Sequence, residues 1–299
     1  MTTDRMTTVI GRDTDVAAPT QPRSRIPRPR FRPVYLLIAA WIVGVIGPYT
    51  WMGLTSITPT SELNVNSTTI FPENPSFQAY GRLLTETGFL RYMANSAIVA
   101  AGVVVVTVLA ALLAGTALSR YHFRGRRVVL YGILLVTLFP TILLIVPLYI
   151  QLKSLGLLDN KLGLILVYSA FAMSFSTWLM KGFVDQIPVE IEEASLIDGC
   201  SKFGSFRYVI LPLSWPGIAA AGTYAFIYSW NEFLFALTFT SSDAAKTIPV
   251  GLSQFIGENI IRWDFLTAGG VLAAIPILIG FMYAQRGLIS GLASGAVKG

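Results

Sequence analysis

The sequence predicts an all-α, polytopic membrane protein with six transmembrane helices. Three observations carry that class. Apolar residues fill 54% of the 299 positions and charged residues only 13%, against about 25% charged in soluble domains. The mean hydropathy is +0.62. Six apolar runs meet or approach the roughly 20 residues that a bilayer core about 30 Å thick requires. The same figures exclude a water-soluble enzyme and a disordered chain. Cys200 is the only cysteine, so no disulfide can close within the chain.

In order, the runs fall near Val34–Thr55, Ser96–Leu118, Val128–Ile150, Leu162–Met180, Trp215–Phe239 and Phe265–Ala284. The second is the cleanest, with no charge between Asn95 and Arg120. Pro140 and Pro147 in the third and Pro276 in the sixth remove backbone donors, so kinks or unwinding are expected there. Plain packing kinks and joints of a moving pathway both fit that pattern.

An even number of spans puts both termini on one side, and the basic residues choose the side. The segment before Val34 holds seven arginines, the Arg120–Arg127 link four basic residues, Lys181–Leu213 three and the carboxy-terminal end two. The three opposing loops hold two each: Arg82 and Arg91, Lys153 and Lys161, Lys246 and Arg262. Sixteen against six is a positive-inside bias that makes both termini cytoplasmic in a multi-pass protein of the cell (inner) membrane. It also accounts for most of the net charge of +6 without a nucleic-acid partner. Residues 1–33 contain no signal-peptide core and are expected to be a disordered basic tail. Its Arg23, Arg25, Arg28, Arg30 and Arg32 would lie against anionic headgroups of the lipid bilayer. Residues 34–299 form the membrane domain, with long outer loops over 56–91 and 240–264 where an external partner can dock.

The segment 181–213 is too polar to span and too patterned for a passive linker. Pro188 suits a first helical turn, and Glu190, Glu192 and Glu193 favour the positive end of that helix. Gly199 suits a left-handed helix end. A second short helix over Ser201–Val209 should stop at Leu211–Pro212. Two short helices then meet at a glycine corner, where small Ala194, Ser195 and Gly199 allow another protein to approach closely.

Glu193-Ala194-Ser195, Asp198-Gly199, Phe206 and Ile210-Leu211-Pro212-Leu213 resemble the EAA loop of ABC importer permeases. Ser195 replaces the third small residue of that pattern, Cys200 an alanine, and Val209 the isoleucine of I-x-L-P. Five further motifs resemble the carbohydrate branch of these permeases, of the smaller maltose type: Asn95-Ser96, Tyr121-His122-Phe123-Arg124-Gly125, Leu155-Gly156-Leu157-Leu158-Asp159, Trp230-Asn231-Glu232-Phe233-Leu234 and the ending Gly295-Ala296-Val297-Lys298-Gly299. The resemblance covers nearly everything after residue 33. It implies a type I ABC importer transmembrane domain whose loop 181–213, through Glu193, Ala194, Ser195, Asp198, Gly199, Phe206, Leu211 and Pro212, couples to a separate cytoplasmic ATPase. It also implies that the Gly295–Gly299 tail reaches the ATPase interface.

Glu232 is the only acidic residue inside an expected span, and an ionisable group at that depth is a functional candidate. Asn231 and Glu232 either line or steady a translocation path, or make a hydrogen-bonded contact with a partner permease. Tyr224, Tyr228 and Trp230 share that helix and can stack on sugar rings or serve as packing anchors. His122, the sole histidine, has no companion ligands for a metal. No Ser–His–acid set or carboxylate pair is suggested. The sequence contains no G-x-x-x-x-G-K-[ST] loop, so hydrolysis of ATP is expected from a partner and this chain is not expected to be an enzyme.

The resemblance therefore implies one permease subunit of a binding-protein-dependent sugar importer, forming half of the translocation pathway. Its partners would be a second homologous permease, two ATPase subunits that hold ATP and Mg, an extracytoplasmic solute-binding protein and a sugar. No cofactor is expected in this chain. The alternative from another class is an ion-coupled secondary transporter subunit, which commonly shows inverted repeats and several intramembrane ionisable residues.

Overall fold

Helix α1 (Val34–Ser56) opens the computed structural model, which describes residues 34–63, 71–257 and 260–296. The tail expected over 1–33 and the terminal Val297, Lys298 and Gly299 lie outside those residues. The chain divides into two units at Ile46. The described part of the first is the leading half of α1, where Leu37, Trp41 and Val43 are exposed as a lipid or protein neighbour would require.

In the second unit, short helices α2 (Thr60–Leu63) and α3 (Gln78–Glu86) occupy the first outer loop. They lead into α4 (Phe89–Arg120), α5 (Arg126–Leu138), a 3-10 turn (Thr141–Leu144) and α6 (Ile145–Ser154). Next come α7 (Lys161–Asp185), α8 (Val189–Ile197), α9 (Lys202–Ser205), a π-helical turn (Phe206–Ile210) and α10 (Leu211–Leu213). The chain ends with α11 (Trp215–Asn231), α12 (Leu234–Phe239), α13 (Ile248–Ser253) and α14 (Trp263–Ala296).

Among the described residues four helices, α1, α4, α7 and α14, are long and apolar enough to cross a membrane alone. Two bent pairs bring the number up to six where each counts as one span: α5 with the Thr141–Ser154 stretch, bent by 95°, and the Lys202–Leu213 stretch with α11, bent by 70°. The third expected run, Val128–Ile150, is therefore broken. Phe139 precedes a proline, which disfavours the helical region for it, and both Phe139 and Pro140 are extended. The other prolines do not unwind their helices. Pro147 sits in the first turn of α6, where a missing donor costs little, and α14 runs on through Pro276. The second span also begins earlier than expected, at Phe89, so Asn95 and Ser96 lie in its second turn.

The interior is built on α4, α7 and α11, with the α4–α7 interface the most extensive. At Gly115 an added Cβ would lie 2.8 Å from Met180 Cβ and 2.9 Å from the Lys181 nitrogen. Only glycine permits that backbone approach, a small-residue contact of the kind membrane helices use in place of hydrophobic driving force. Three buried clusters follow one another along the bundle. Leu83, Phe89, Trp230, Ile248 and Phe265 form the first; Val99, Val103, Leu164, Tyr168 and Phe235 the second; Ala111, Leu112, Met180, Val184 and Ile210 the third. Trp230 Nε1 donates to the Ala273 carbonyl at 3.1 Å, which ties α11 to α14.

Candidate functional site

The corner expected between two short helices is present. Helix α8 ends at Ile197, and Gly199 has φ +91°, a conformation open to glycine and strained for other residues. Ser201 caps α9 by accepting from the Gly204 nitrogen at 3.1 Å. Ser195 Oγ donates to the Glu192 carbonyl (2.7 Å) and pairs with Ser205 Oγ at 2.8 Å. Arg120, at the end of α4, forms an ion pair with Glu192 and donates Nη2 to the Ile187 carbonyl at 2.8 Å. The corner is thus hydrogen-bonded internally and fastened to the bundle.

Sequence reasoning misplaced part of this surface. Ser195 was expected where a partner approaches, yet it is buried and faces Ser205. Phe206 and Leu211 turn inward against the Met180–Ile210 cluster. Glu193, Ala194, Asp198, Gly199 and Pro212 are exposed. The second helix does not stop at Leu211–Pro212. It continues to Leu213 because the turn widens at Phe206–Ile210, where the Leu211 nitrogen donates to the Phe206 carbonyl. Such a π-turn shifts the hydrogen-bond ladder, so the proline's missing donor is accommodated without ending the helix.

The exposed apolar residues of the corner were not singled out from sequence: Ile197 is 85% exposed, Phe203 71% and Tyr208 70%. Periodicity held the signal for Ile197. Glu192 and Ser195, three apart, share the inward face of α8, and Ile197 lies about 200° around the helix from Ser195. Between α4 and the corner lies a cleft of about 490 Å³, walled by Leu113, Leu196, Phe203 and Phe206 with Arg120 and Glu192 at its edge.

Midway along the bundle, the fifth expected span is interrupted at Glu232. Helix α11 ends at Asn231, and the Glu232 carboxylate accepts from the Phe235 (2.9 Å) and Ala236 (3.1 Å) nitrogens that open α12. Glu232 is a helix cap at a break rather than a charge inside a continuous helix. Asn231 is exposed and donates to the Ile227 carbonyl of its own helix at 2.8 Å. Tyr228 stacks on Tyr224 with centroids 6.2 Å apart and meets Tyr168 edge-on. Phe175 lies 4.5 Å from Tyr224, which extends the aromatic file on α7.

At the opposite end of α4, two of the sequence motifs, Asn95-Ser96 and the one that ends at Asp159, converge with Lys161 on the second outer loop. Asn95 Nδ2 donates to the Lys246 carbonyl (2.9 Å), while Lys161 Nζ donates to Asn95 Oδ1 (3.2 Å) and the Ala244 carbonyl (3.0 Å). Ser96 Oγ accepts from the Ile248 nitrogen at 2.8 Å. Asp159, itself at φ +54°, accepts from the Ser241 and Ser242 nitrogens, each at 2.9 Å. Burial pushes the Asp159 carboxyl up, but the Ser242 and Ser241 hydrogen bonds outweigh it and hold the group below its ordinary value. The Lys246 hydrogen bond does the same for Asp243. Of the expected terminal tail, Gly295 and Ala296 close α14.

The model of the family described as "Binding-protein-dependent transport system inner membrane component" matches residues 107–293. The chain is 35% identical over 264 residues to the sulfoquinovosyl glycerol transport system permease protein SmoH of Agrobacterium fabrum, covering 88% of this chain and 93% of that protein. It is 34% identical to the diacetylchitobiose uptake system permease protein DasC of Streptomyces coelicolor, covering 86% and 93%. A chain in the crystal structure of a bacterial ABC transporter involved in alginate import superposes with a TM-score of 0.74 at 24% identity, over 85% of this chain and 94% of that one. None of these similarities supports the ion-coupled alternative.

Proposed function

This chain belongs to the family of binding-protein-dependent transport system inner membrane components, and on that premise we propose that it is the permease subunit of an ATP-driven carbohydrate importer, coupled to its motor through the Gly199 corner. One observation carries the coupling role. The corner exposes Ile197 and Phe203 while the Arg120–Glu192 pair and the Ser195–Ser205 contact fasten it to α4 and to itself. A fastened projection transmits a push to the helices behind it, and a loose loop does not. Two ATPase subunits holding ATP and Mg would seat this corner in a cleft, with Glu193, Ala194, Asp198, Gly199 and Pro212 on the docking side and Ser195, Phe206 and Leu211 bracing it. ATP binding would bias the assembly between two global states.

A second permease subunit would complete the pathway, with Tyr228 and Asn231 bordering it and Glu232 acting through the bend it caps. The solute-binding protein would meet the loop held by Asn95, Lys161 and Asp159. The Gly295–Gly299 end would extend toward the ATPase, with both termini cytoplasmic. The glycoside cargoes named for SmoH and DasC support a carbohydrate or glycoside as the solute. Uptake by the assembled transporter should stop when ATP is depleted and survive collapse of the ion gradients. The reverse result would overturn this reading.

A further inference from the structure

The link between α4 and α5 carries charge that the coupling role does not use. His122, Arg124, Arg126, Arg127 and Lys181 line an open cleft of about 810 Å³ together with Phe123, Val128 and Leu130. Two of these cations have work inside the chain. Arg126 donates to the Leu118 (2.6 Å) and Ser119 (3.4 Å) carbonyls, and Lys181 pairs with Asp185. Arg124 and Arg127 are exposed and make no hydrogen bond or ion pair with the described residues. The lining includes no carboxylate among the described residues, and nearby Asp185 is engaged by Lys181 and by Ser119 Oγ at 2.6 Å. Glu192 is taken by Arg120. The cleft therefore presents two guanidinium groups with no counter-charge among the described residues.

Leading away from the cleft, α5 exposes Val128 (73%), Tyr131 (65%), Leu135 (64%) and Leu138 (77%). Their spacing of three, four and three places them on one helix face, and ten residues of helix extend about 15 Å. A free phosphate or an acidic protein surface would satisfy the guanidiniums and leave this ladder bare. A lipid with an anionic headgroup satisfies both, because guanidinium forks suit phosphate oxygens and an acyl chain suits the ladder.

We propose that the α4–α5 link is a binding site for an anionic phospholipid, its phosphate held by Arg124 and Arg127 and an acyl chain laid along Val128, Tyr131, Leu135 and Leu138. The site depends on the membrane placement of the chain and not on its cargo or motor, so it stands or falls separately from the importer reading. The full chain, delipidated in detergent and mixed with equal phosphatidylglycerol and phosphatidylcholine, tests it by native mass spectrometry. Phosphatidylglycerol should be retained with a preference of about tenfold or more. Arg124→Gln with Arg127→Gln should remove most of that preference, Arg124→Lys with Arg127→Lys should keep part of it, and Lys153→Gln, exposed in the last turn of α6, should not change it. Tyr131→Ser with Leu135→Ser should speed lipid loss while leaving helicity by circular dichroism intact. Equal retention of the two lipids, or a preference that survives the double glutamine change, would overturn the site. Displacement by millimolar inorganic phosphate would also overturn it, as a phosphate site without a lipid. So would a double glutamine variant that loses co-purifying protein subunits while its lipid retention stays unchanged.

Discussion

Ser195 and Ser205 hold their hydroxyl oxygens 2.8 Å apart across the Gly199 corner. Both side chains are buried, and the Cys200 nitrogen closes the same corner by donating to the Ser195 carbonyl at 3.0 Å. Ser195→Ala should lower stability by about 1 kcal/mol, because it leaves the Ser205 hydroxyl buried with one partner fewer. Ser205→Ala added to Ser195→Ala should cost less than Ser205→Ala alone. Thermal unfolding of the four proteins checks this, and strictly additive losses would show that the hydroxyls do not act as a pair.

At Gly199 the structure separates two costs that a substitution can carry. A Cβ there meets nothing within 4 Å, while φ is +91°, so within this chain the cost is backbone strain alone. Gly199→Val should lose about 1–2 kcal/mol, whereas Gly199→Asn should lose less because asparagine tolerates the left-handed region. Gly199→Asp adds a charge to the exposed corner and should release ATPase subunits out of proportion to its strain. Retained ATPase and uptake, measured together, test the set. Wild-type values for Gly199→Asp would show that the coupling surface lies elsewhere.

The corner was legible because its signals are local. A proline, three glutamates and a glycine fall within a dozen residues, each with a defined preference at a helix end. The outer clasp was not legible, since Asn95 reaches the Lys246 carbonyl 151 residues away and no local pattern announces such a contact. The break at Glu232 was hidden differently. Apolar composition continues across it, so hydropathy reads one span where a carboxylate ends one helix and starts another. Ser195 was misread because small size in a sequence does not say which way a side chain faces. The register with Glu192 does.

The Glu232 cap yields its own prediction. A carboxylate at membrane depth is costly, and here two backbone amides compensate it. Glu232→Ala should destabilise α12 by about 1–2 kcal/mol, and Glu232→Gln, with one acceptor oxygen left, by less. Hydrogen exchange at Phe235 and Ala236 should rise more in Glu232→Ala than in Glu232→Gln. If Glu232 served only a moving solute, exchange at those amides would be unchanged in both variants while uptake fell.

Asp159, together with Asp243, contributes to the pH behaviour of the second outer loop. Its carboxyl lies below its ordinary value in the folded protein, so its contribution is fully present above about pH 4, the unfolded value, and is lost as pH falls through the lower folded value. The Ser241 and Ser242 amides should stay protected from pH 7 to pH 5 and open only in stronger acid. Asp159→Asn keeps one acceptor oxygen and should reduce the acid dependence to the share that Asp243 carries, while weakening protection at neutral pH. Opening of these amides between pH 7 and pH 5 in the unsubstituted protein would count against the carboxylate as the clasp.

Arg120 and Glu192 decide whether the corner moves with the bundle. Their side chains are 11% and 16% exposed, so removing one partner leaves a charge poorly solvated. Arg120→Ala should cost about 3 kcal/mol or more, because it strands the Glu192 carboxylate and also frees the Ile187 carbonyl that Arg120 Nη2 engages. Glu192→Gln keeps an acceptor for the guanidinium and should cost about 1 kcal/mol. Exchanging the two residues, Arg120→Glu with Glu192→Arg, restores opposite charges but not the Ile187 contact, so recovery should be partial. Chemical denaturation in micelles gives the stabilities, and hydrogen exchange over Val189–Ile197 shows whether α8 has come loose from α4. A fastened corner predicts that exchange in α8 rises with the loss of stability and that coupling of ATP hydrolysis to uptake falls in step. Full coupling in Arg120→Ala with freely exchanging α8 amides would mean that force reaches the membrane helices by the covalent chain at Leu213–Trp215 alone.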